Sequence, residues 1–546
     1  MEEMFCYQCE QAAQGTGCTK VGVCGKQPDV AALQDLIVWG LKGMGFWADQ
    51  ARQKGAIDPD IDAHMVEGLF TTVTNVNFDP DNLAEVARKT ARMRDKAQQL
   101  YEKANGGSLP GDLPEAARPW NADLSTMALV SEGRKHPVPD SSVDPDVKSV
   151  MELLVYGCKG MAAYAYHANH LGHGDPEIFG FIHKAMAATL DRGKGLMDFV
   201  NLNLECGTVN LKTQQALYEG HAEQYGHPQP TKVQIGNRGG KAILVSGHDL
   251  MMLEALLKQT EGKNIQVYTH VEMLPAHGYP QLKKYAHLAG NYGGGWQDQY
   301  KEFSRFPGAI IFNTNCIQRP ADVYKDRLFT WGLVQWPGVR HIEGMDFSPV
   351  IDAALAADSW DDSPDKEILT GCGHHAILGM ADKVINAVKD GKIRRFYVIG
   401  GCDGAKPGRN YYTRMAEELP QDTVILTLAC GKYRFNKLDF GDIDGIPRLL
   451  DVGQCNDTYS AVQVALALAN AFDCGVNDLP LSVILSWYEQ KALVCLLSLL
   501  SLNMQNIRIG PSLPAFITPN VLNFLVEKFN VAPIGTVEED IRATLG

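Results

Sequence analysis

A chain of 546 residues, 45% hydrophobic and 21% charged, has the make-up of a folded globular protein and is too long for a single core, so it should divide into about three domains. Its net charge of -14 excludes nucleic acid as a main partner, because phosphate recognition calls for a basic surface. The thirteen cysteines follow no secretory signal, since the chain opens on acidic residues and cysteines, and this points to reduced thiols in a cytoplasmic protein.

The first segment carries chemistry before it carries a fold. Cys6, Cys9, Cys18 and Cys24 form a Cys-x2-Cys-x8-Cys-x5-Cys run, and four thiolates on one short segment suit an iron–sulfur cluster, zinc or Cu(I). Only the first pair has the spacing of a zinc knuckle, and glycines at 15, 17, 22 and 25 let the backbone wrap something larger than one ion. Iron–sulfur therefore ranks ahead of zinc, and disulfides last.

From Ala31 to about residue 226 the apolar residues recur at helical spacing, as in Leu33, Leu36, Ile37 and Leu41 and again from Met151 to His170. Polar, Pro-rich stretches at Gly106 to Pro119 and His136 to Pro145 read as exposed connections. After Gly226-His-Pro-Gln-Pro230 short β-branched runs alternate with amphipathic helices, the pattern of parallel sheets. The expected fold is multidomain α and α/β: a helical domain over 1–226 and two Rossmann-like domains over 227–377 and 378–546. The apolar stretch from Leu481 to Leu502 contains Glu489, Gln490 and Lys491, too polar for a membrane span, and reads as a buried helix with a functional carboxylate.

In open parallel sheets ligands bind beyond the carboxyl ends of the strands. Here Ala242–Val245 leads to His248, Ile265–Tyr268 to Glu272, Ala309–Phe312 to Cys316, Arg395–Ile399 to Cys402, Val424–Leu428 to Cys430 and Leu449–Val452 to Cys455. A single cysteine after a strand is usually a small buried hydrophobe. Six metal-competent side chains at equivalent positions argue for a polynuclear iron site with sulfur and oxygen ligation, too rich a set for one zinc. Glu489 is a candidate seventh ligand or the partner of a buried cation such as Lys491.

Met4-Phe-Cys-Tyr-Gln-Cys, Ser246-Gly-His-Asp-Leu, Glu272-Met-Leu-Pro-Ala, Thr314-Asn-Cys, Gly401-Cys-Asp-Gly, Cys430-Gly-Lys-Tyr-Arg, Gly453-Gln-Cys-Asn-Asp and Trp487-Tyr-Glu-Gln-Lys closely resemble the hybrid cluster (prismane) proteins, the hydroxylamine reductase family, along the whole chain. The resemblance implies distant kinship to nickel-iron carbon monoxide dehydrogenases. It also implies a [4Fe-4S] cubane on Cys6, Cys9, Cys18 and Cys24, and a hybrid [4Fe-2O-2S] cluster on His248, Glu272, Cys316, Cys402, Cys430, Cys455 and Glu489. The residue matching Cys402 is a persulfide in the oxidised state. His248, Glu272, Cys402 and Glu489 would serve catalysis. The implied activity is reduction of a small nitrogen oxide species, hydroxylamine to ammonia and water or nitric oxide to nitrous oxide, by a monomer fed by an external electron-donor protein, with no membrane partner. Two other readings are a protein that senses nitric oxide or transfers it to partner thiols, and a carbon monoxide dehydrogenase-like enzyme. Gly431, where Ala is common, and Ala405-Lys-Pro-Gly-Arg409 depart from the family pattern beside the ligands and bear on redox tuning.

Other motifs carry less. Gly236–Lys241 precedes a strand, so it is no phosphate loop. Gly290–Gly295 reads as a turn or a close backbone approach, Cys372-Gly-His-His375 as structural, His167, His170 and His173 as core or surface residues, and Cys158, Cys206, Cys474 and Cys495 as buried hydrophobes in helical surroundings.

Overall fold

A computed structural model describes residues 4–121, 123–138, 142–364 and 366–545. The first part is a stack of helices, α1 (Pro28–Gln53), α2 (Pro59–Thr71), α3 (Pro80–Ala104), α4 (Thr126–Gly133), α5 (Pro145–His170), α6 (Pro176–Ala188) and α7 (Leu196–Tyr225). Four of them start on the same dipeptide. Asp58, Asp79, Asp144 and Asp175 each accept backbone N–H bonds at the N-cap, and the following proline, whose missing N–H costs nothing there, opens the helix. The Gly106–Pro119 stretch is less exposed than its composition suggests: Glu115–Ala117 forms a short 3-10 turn whose Ala116 and Ala117 are buried, and Ala117 O accepts Trp47 Nε1–H at 2.7 Å. Of the second stretch, residues 139–141 lie outside the described residues.

Two six-stranded, wholly parallel sheets follow. The strands are β1 (Thr231–Gln234), β2 (Lys241–Ser246), β3 (Ile265–His270), β4 (Leu288–Asn291), β5 (Ala309–Phe312), β6 (Leu328–Trp331), β7 (Arg340–Ile342), β8 (Glu367–Thr370), β9 (Arg395–Gly401), β10 (Thr423–Leu428), β11 (Asp442–Ile443), β12 (Ile446–Pro447), β13 (Leu449–Gly453), β14 (Leu481–Ser486), β15 (Ile507–Gly510) and β16 (Ala532–Pro533). The first sheet runs β4-β3-β2-β5-β6-β7 and the second β13-β10-β9-β14-β15-β16, so both have doubly wound order with the reversal between β2 and β5 and between β9 and β14. β1 and β8 pair antiparallel beside them. The polar turn of Gly290–Gly295 begins later than expected. Gly290 lies in β4, where a Cβ would sit 2.3 Å from Gln234 O, so the close approach is to β1.

The Leu481–Leu502 stretch is not one helix. Leu481–Ser486, carrying Val483 and Ile484 after Pro480, is the central strand β14, and the buried helix Gln490–Ser501 begins only after Glu489 caps it. β-branched residues in a buried run had the same apolar signature as a buried helix. That helix reaches back from the second sheet and packs between α5 and α7. Glycines make the fit: a Cβ at Gly160 would meet Gln490 O at 2.4 Å and one at Gly207 would meet Leu497 O at 2.0 Å. Cys474, expected in a helix, sits half-buried in the turn after the helix Thr458–Ala471. Among the described residues no helix is long and apolar enough to cross a membrane.

Two predictions follow from this packing. Gly207→Ala should lower stability by about 1–3 kcal/mol through overpacking, read as a fall in unfolding midpoint, while Ala at Gly111, which is uncrowded and has no positive φ, should cost far less. The buried His64, bonded through Nε2 to Thr90 at 2.9 Å, is driven by burial, with Lys89 and Arg92 adding to the effect, down to about 3. The native state then holds it neutral while the unfolded chain takes up a proton below about 6.5. Stability from this group is complete above pH 6.5 and is lost as pH falls towards 3. Chemical unfolding of wild type should lose up to about 1.4 kcal/mol more per pH unit than His64→Leu across that window; parallel slopes would contradict the assignment.

Candidate metal centre

The carboxyl ends of the two sheets face one another, and each strand that flanks a reversal point ends at a candidate ligand. His248 follows β2 and Cys316 follows β5; Cys402 follows β9 and Glu489 follows β14. Glu272, Cys430 and Cys455 follow the neighbouring β3, β10 and β13. Glu489 thus occupies the same kind of position as the other six, which its misreading as mid-helix had concealed.

The backbone aims these side chains by a repeated device. The residue before the ligand adopts positive φ at Gly247 (136°), Val271 (56°), Gly401 (105°) and Ala429 (63°). Glycine takes this conformation freely, but the branched Val271 and Ala429 each bear a cost of order 1–3 kcal/mol, and such strain concentrates at functional sites. Among the described residues the ligand atoms of His248, Glu272 and Cys455 lie within 4.8 Å of one another. Glu272 Oε2 accepts the Cys455 N–H at 2.8 Å, while Glu272 Oε1 is buried without a partner. Gln454 Nε2 donates to His248 O at 2.9 Å and Glu272 O at 2.7 Å, tying the second sheet to the first.

All of these donors are buried or nearly so. Burial, reinforced by neighbouring carboxylates and thiols, pushes the Cys316, Cys430 and Cys455 thiols well above the usual range, and burial with Glu489 pushes Cys402 up to about 12. Burial also raises Glu272 and Glu489 and, with Lys491, depresses His248. Protons alone would leave the set neutral, and a multivalent metal group is the partner that would displace them.

One cation sits in this ring. Lys491 Nζ donates to Asn315 Oδ1 at 2.8 Å, lies 2.9 Å from His248 Nε2 and 3.7 Å from Glu489 Oε1. Burial alone would lower its pKa, yet Cys455, Glu489, Cys316 and Glu272 hold it above its ordinary value. Glu489 Oε2 accepts the Lys491 N–H at 2.9 Å, so the carboxylate is both helix N-cap and neighbour of the ammonium. Nearby, Lys432 pairs with buried Asp451, and Arg409 bonds Ser486 Oγ, Trp487 O and Glu10. Glu10 was not singled out from the sequence, whereas Lys432 stands two residues after Cys430 in a quoted motif and Arg409 closes the Ala405–Arg409 stretch read as bearing on redox tuning; their ion-pair partners were not foreseen.

The N-terminal run forms a second cluster. Cys6 and Cys18 pair across a short antiparallel bridge, with N–H···O bonds of 3.1 and 2.8 Å, and Lys26 Nζ approaches Cys6 Sγ at 3.8 Å. Burial, with the charges of Cys24, Cys6 and Cys18 close by, raises the Cys9 thiol. Cys9 packs in one cluster with Trp296, Tyr488, Cys316 and Cys430, and Trp296 and Tyr488 lie 4.4 Å apart between their ring centroids. His167 is buried against Asp249 at 3.0 Å, and Cys495 lies beside Cys455, bonded to Thr458, Gln214 and Tyr164.

Comparison with known proteins places the chain. Residues 4–542 match the Prismane/CO dehydrogenase family, and the chain belongs to it. It is 66% identical to a protein named hydroxylamine reductase from Geobacter sulfurreducens, and 53% identical to one of the same name from Syntrophobacter fumaroxidans, each over 100% of both chains. Its fold is that of carbon monoxide dehydrogenases. A Ni-free enzyme from Thermococcus sp. AM4 superposes with a TM-score of 0.57 at 16% identity over 99% of this chain and 90% of that one, and enzyme IV from Carboxydothermus hydrogenoformans with 0.56 at 13% over 99% and 92%.

The pair beside the ligands is open to test. Removing the Lys432 cation by Lys432→Met strands the Asp451 carboxylate, and the loss in stability should be about 3–5 kcal/mol. Adding Asp451→Asn should recover much of it. A single variant as stable as wild type would show that the pair contributes little.

Proposed function

We propose that this member of the Prismane/CO dehydrogenase family is an iron–sulfur oxidoreductase that reduces hydroxylamine to ammonia and water. The carrying observation is the convergence of four cysteines, two glutamates and one histidine from seven strand ends of two opposed sheets. The donor set fits a mixed iron–sulfur–oxygen group: thiolates for electron-rich iron, imidazole and carboxylate for harder iron, and an unpartnered buried oxygen at Glu272 Oε1. His248, Glu272, Cys316, Cys402, Cys430, Cys455 and Glu489 would hold the hybrid cluster, with Cys402 the persulfide position, and Cys6, Cys9, Cys18 and Cys24 a [4Fe-4S] cubane. That eight of the thirteen cysteines stand at these iron–sulfur positions accords with a reducing, cytoplasmic setting.

Once bound, the hybrid cluster would supply electrons and an open coordination position for the N–O group. The overall step takes two electrons from an external donor protein and two protons, breaks the N–O bond, and releases ammonia and water. This chain's groups attend to the protons and to orientation. Lys491 Nζ, held charged by its neighbours beside His248 and Glu489, is the proton donor this chain places at the centre, while Glu272 and Glu489 would serve as ligands. The buried walls exclude water. Tyr488 and Trp296 stand between Cys9 and the centre, where an electron arriving at the N-terminal run would cross.

The test is electron paramagnetic resonance of the isolated and reduced protein with iron and sulfide counts. Cys9→Ser should remove or convert the cubane signal and leave the other. Glu489→Gln should keep the cubane, alter the second signal and lower hydroxylamine turnover by about 100-fold or more, as loss of a group essential to the centre does. Wild-type spectra and turnover in Glu489→Gln would overturn its place in the site, and an iron-free wild type would overturn the function.

A further inference from the structure

Beneath the N-terminal loop lies a group of buried ionisable side chains with no part in the reaction described so far. Helix α5 presents Glu152, Tyr156 and Lys159 along one face, and α1 brings Asp35 and Lys42 to the same place. A cavity of about 20 Å³ separates these residues from Cys6, Tyr7, Gln8 and Lys26 of the loop. It shares Asp35, Val38, Lys42, Val138 and Glu152 as walls with a cleft of about 1290 Å³, whose rim holds the exposed Asp112, Lys135 and Arg192. Solvent in the cleft is therefore one layer of side chains away from the space under the cysteine run.

In that layer Glu152 is 2% exposed, and its Oε2 is buried without a partner. Lys159 Nζ donates to Gln8 Oε1 at 3.0 Å and to Thr72 O at 3.3 Å, while Lys26 Nζ donates to Gln34 Oε1 at 2.5 Å. Burial raises Glu152, opposed by Lys42, by the Tyr156 hydroxyl beside it and by Lys159 and Lys148. Burial also raises Asp35, to about 7, with Lys26 and Lys159 opposing and Glu152 adding. Burial and Lys26 lower Lys159 to about 8 against Asp35, Cys6 and Glu152. The hydroxyls of Tyr7 and Tyr156 are kept neutral by burial, with Glu152 and Cys6 adding to the effect. A space of this size holds a water where two to four polar groups surround it, and one water suffices to pass a proton between the cleft and Glu152. An extra negative charge nearby makes a buried carboxylate bind a proton more tightly.

We infer that Glu152, reached from the cleft past Asp35, is a proton-loading site for electron entry: it takes up a proton when the group held on Cys6, Cys9, Cys18 and Cys24 gains an electron, and gives it back when the electron moves on. The inference rests on the iron–sulfur reading above. Charge balances at each step. One electron comes from the donor protein and one proton from water in the cleft, so loading adds no net charge to the buried region. When the electron passes to the centre, the proton returns from the Glu152 carboxyl to the cleft. An electron added there without a proton would be opposed by the low dielectric of the surroundings, so Glu152 decides how readily the donor's electron is accepted.

The test is a redox titration of the holoprotein at a series of pH values, followed through the electron paramagnetic resonance signal of the reduced N-terminal group. The potential should fall as pH rises, by up to about 59 mV per unit, which is a tenfold loss of electron affinity for each tenfold loss of protons. At low pH, where the carboxyl is protonated in both redox states, it should level off. Glu152→Gln, close in shape and unable to ionise, should cut the slope at least threefold, with iron and sulfide counts confirming that the variant is loaded. Infrared difference spectra of wild type, reduced minus oxidised, should show a protonated carboxyl band that shifts in D2O, and this measurement decides the matter where the Gln variant does not load. A potential independent of pH in wild type, the absence of that band, or an unchanged slope in loaded Glu152→Gln overturns the proposal and leaves the iron–sulfur function standing. A sloping wild type that does not reduce hydroxylamine supports the proton site and overturns the function instead.

Discussion

The arrangement depends on one constraint, the presence of seven ligand-type side chains, six of them acidic, in an interior that resists charge. Desolvation of a carboxylate or thiolate costs several kcal/mol per group unless a partner of opposite charge stands close. In this protein the burial is nearly complete, with Glu272 1% and Glu489 2% exposed, and the shifts of the seven ligand-type groups run toward the neutral form, while Lys491 among them is held charged. The set is stable as neutral groups or as ligands of a multivalent cation, and little in between. The same reasoning explains why cations enter a core otherwise closed to them: Lys491 in the ring, Lys432 against Asp451, Arg409 against Glu10.

Placing seven such groups at one point is a problem of topology before it is one of chemistry. A doubly wound sheet leaves a crevice where its strand order reverses, and two sheets of the same order opposed at their carboxyl ends double the number of strand ends that reach it. Positive φ before His248, Glu272, Cys402 and Cys430 turns the chain abruptly out of each strand, so the ligand side chain points across the gap and does not continue along the sheet. The strain at Val271 and Ala429 is borne by the cooperativity of the sheets behind them. The helical part contributes from the other side: glycines on α5 and α7 let the helix Gln490–Ser501 seat deeply, which fixes Glu489 and Lys491 at its first turn.

Much of this was legible in the sequence because strands announce themselves by β-branched runs and ligands by chemistry at their ends. Six strands were found that way, each within two residues of its observed bounds, with the side chains that follow them. The short β4, β6 and β7 were not, since they lack the adjacent isoleucines that mark the equally short β5. β14 was hidden for the opposite reason: Leu481–Leu502 is apolar throughout, so its strand and helix merged into one signal, and Glu489 looked like an interruption when it is a strand end and an N-cap. The buried pairings of Lys432, Arg409 and Glu10 were beyond reach, because a charged residue near a motif reads as surface until its distant partner is known. Glu10 and Arg409 are 399 positions apart.

That long-range pair shows how the two cysteine clusters are joined. Glu10, with no exposed side chain, bridges Arg409 and Lys406, and its N–H bonds Tyr488 O at 2.9 Å; Gln8 O accepts Gln490 Nε2–H at 3.0 Å, and Gln8 Oε1 accepts Lys159 Nζ–H at 3.0 Å. The N-terminal loop is therefore clamped to the residues on both sides of Glu489. Its cysteines also differ in depth: Cys6 and Cys24 are half-buried, near exposed Val21 and Val23, whereas Cys9 is buried against Tyr488 and Trp296. A redox group held on these four thiols would meet an outside donor on one side and the buried centre on the other. Because the clamp is made by the chain segment that also supplies Glu489 and Lys491, a displacement of the loop would be transmitted to the ligand ring through three residues, and the two sites are best understood as a single mechanical unit.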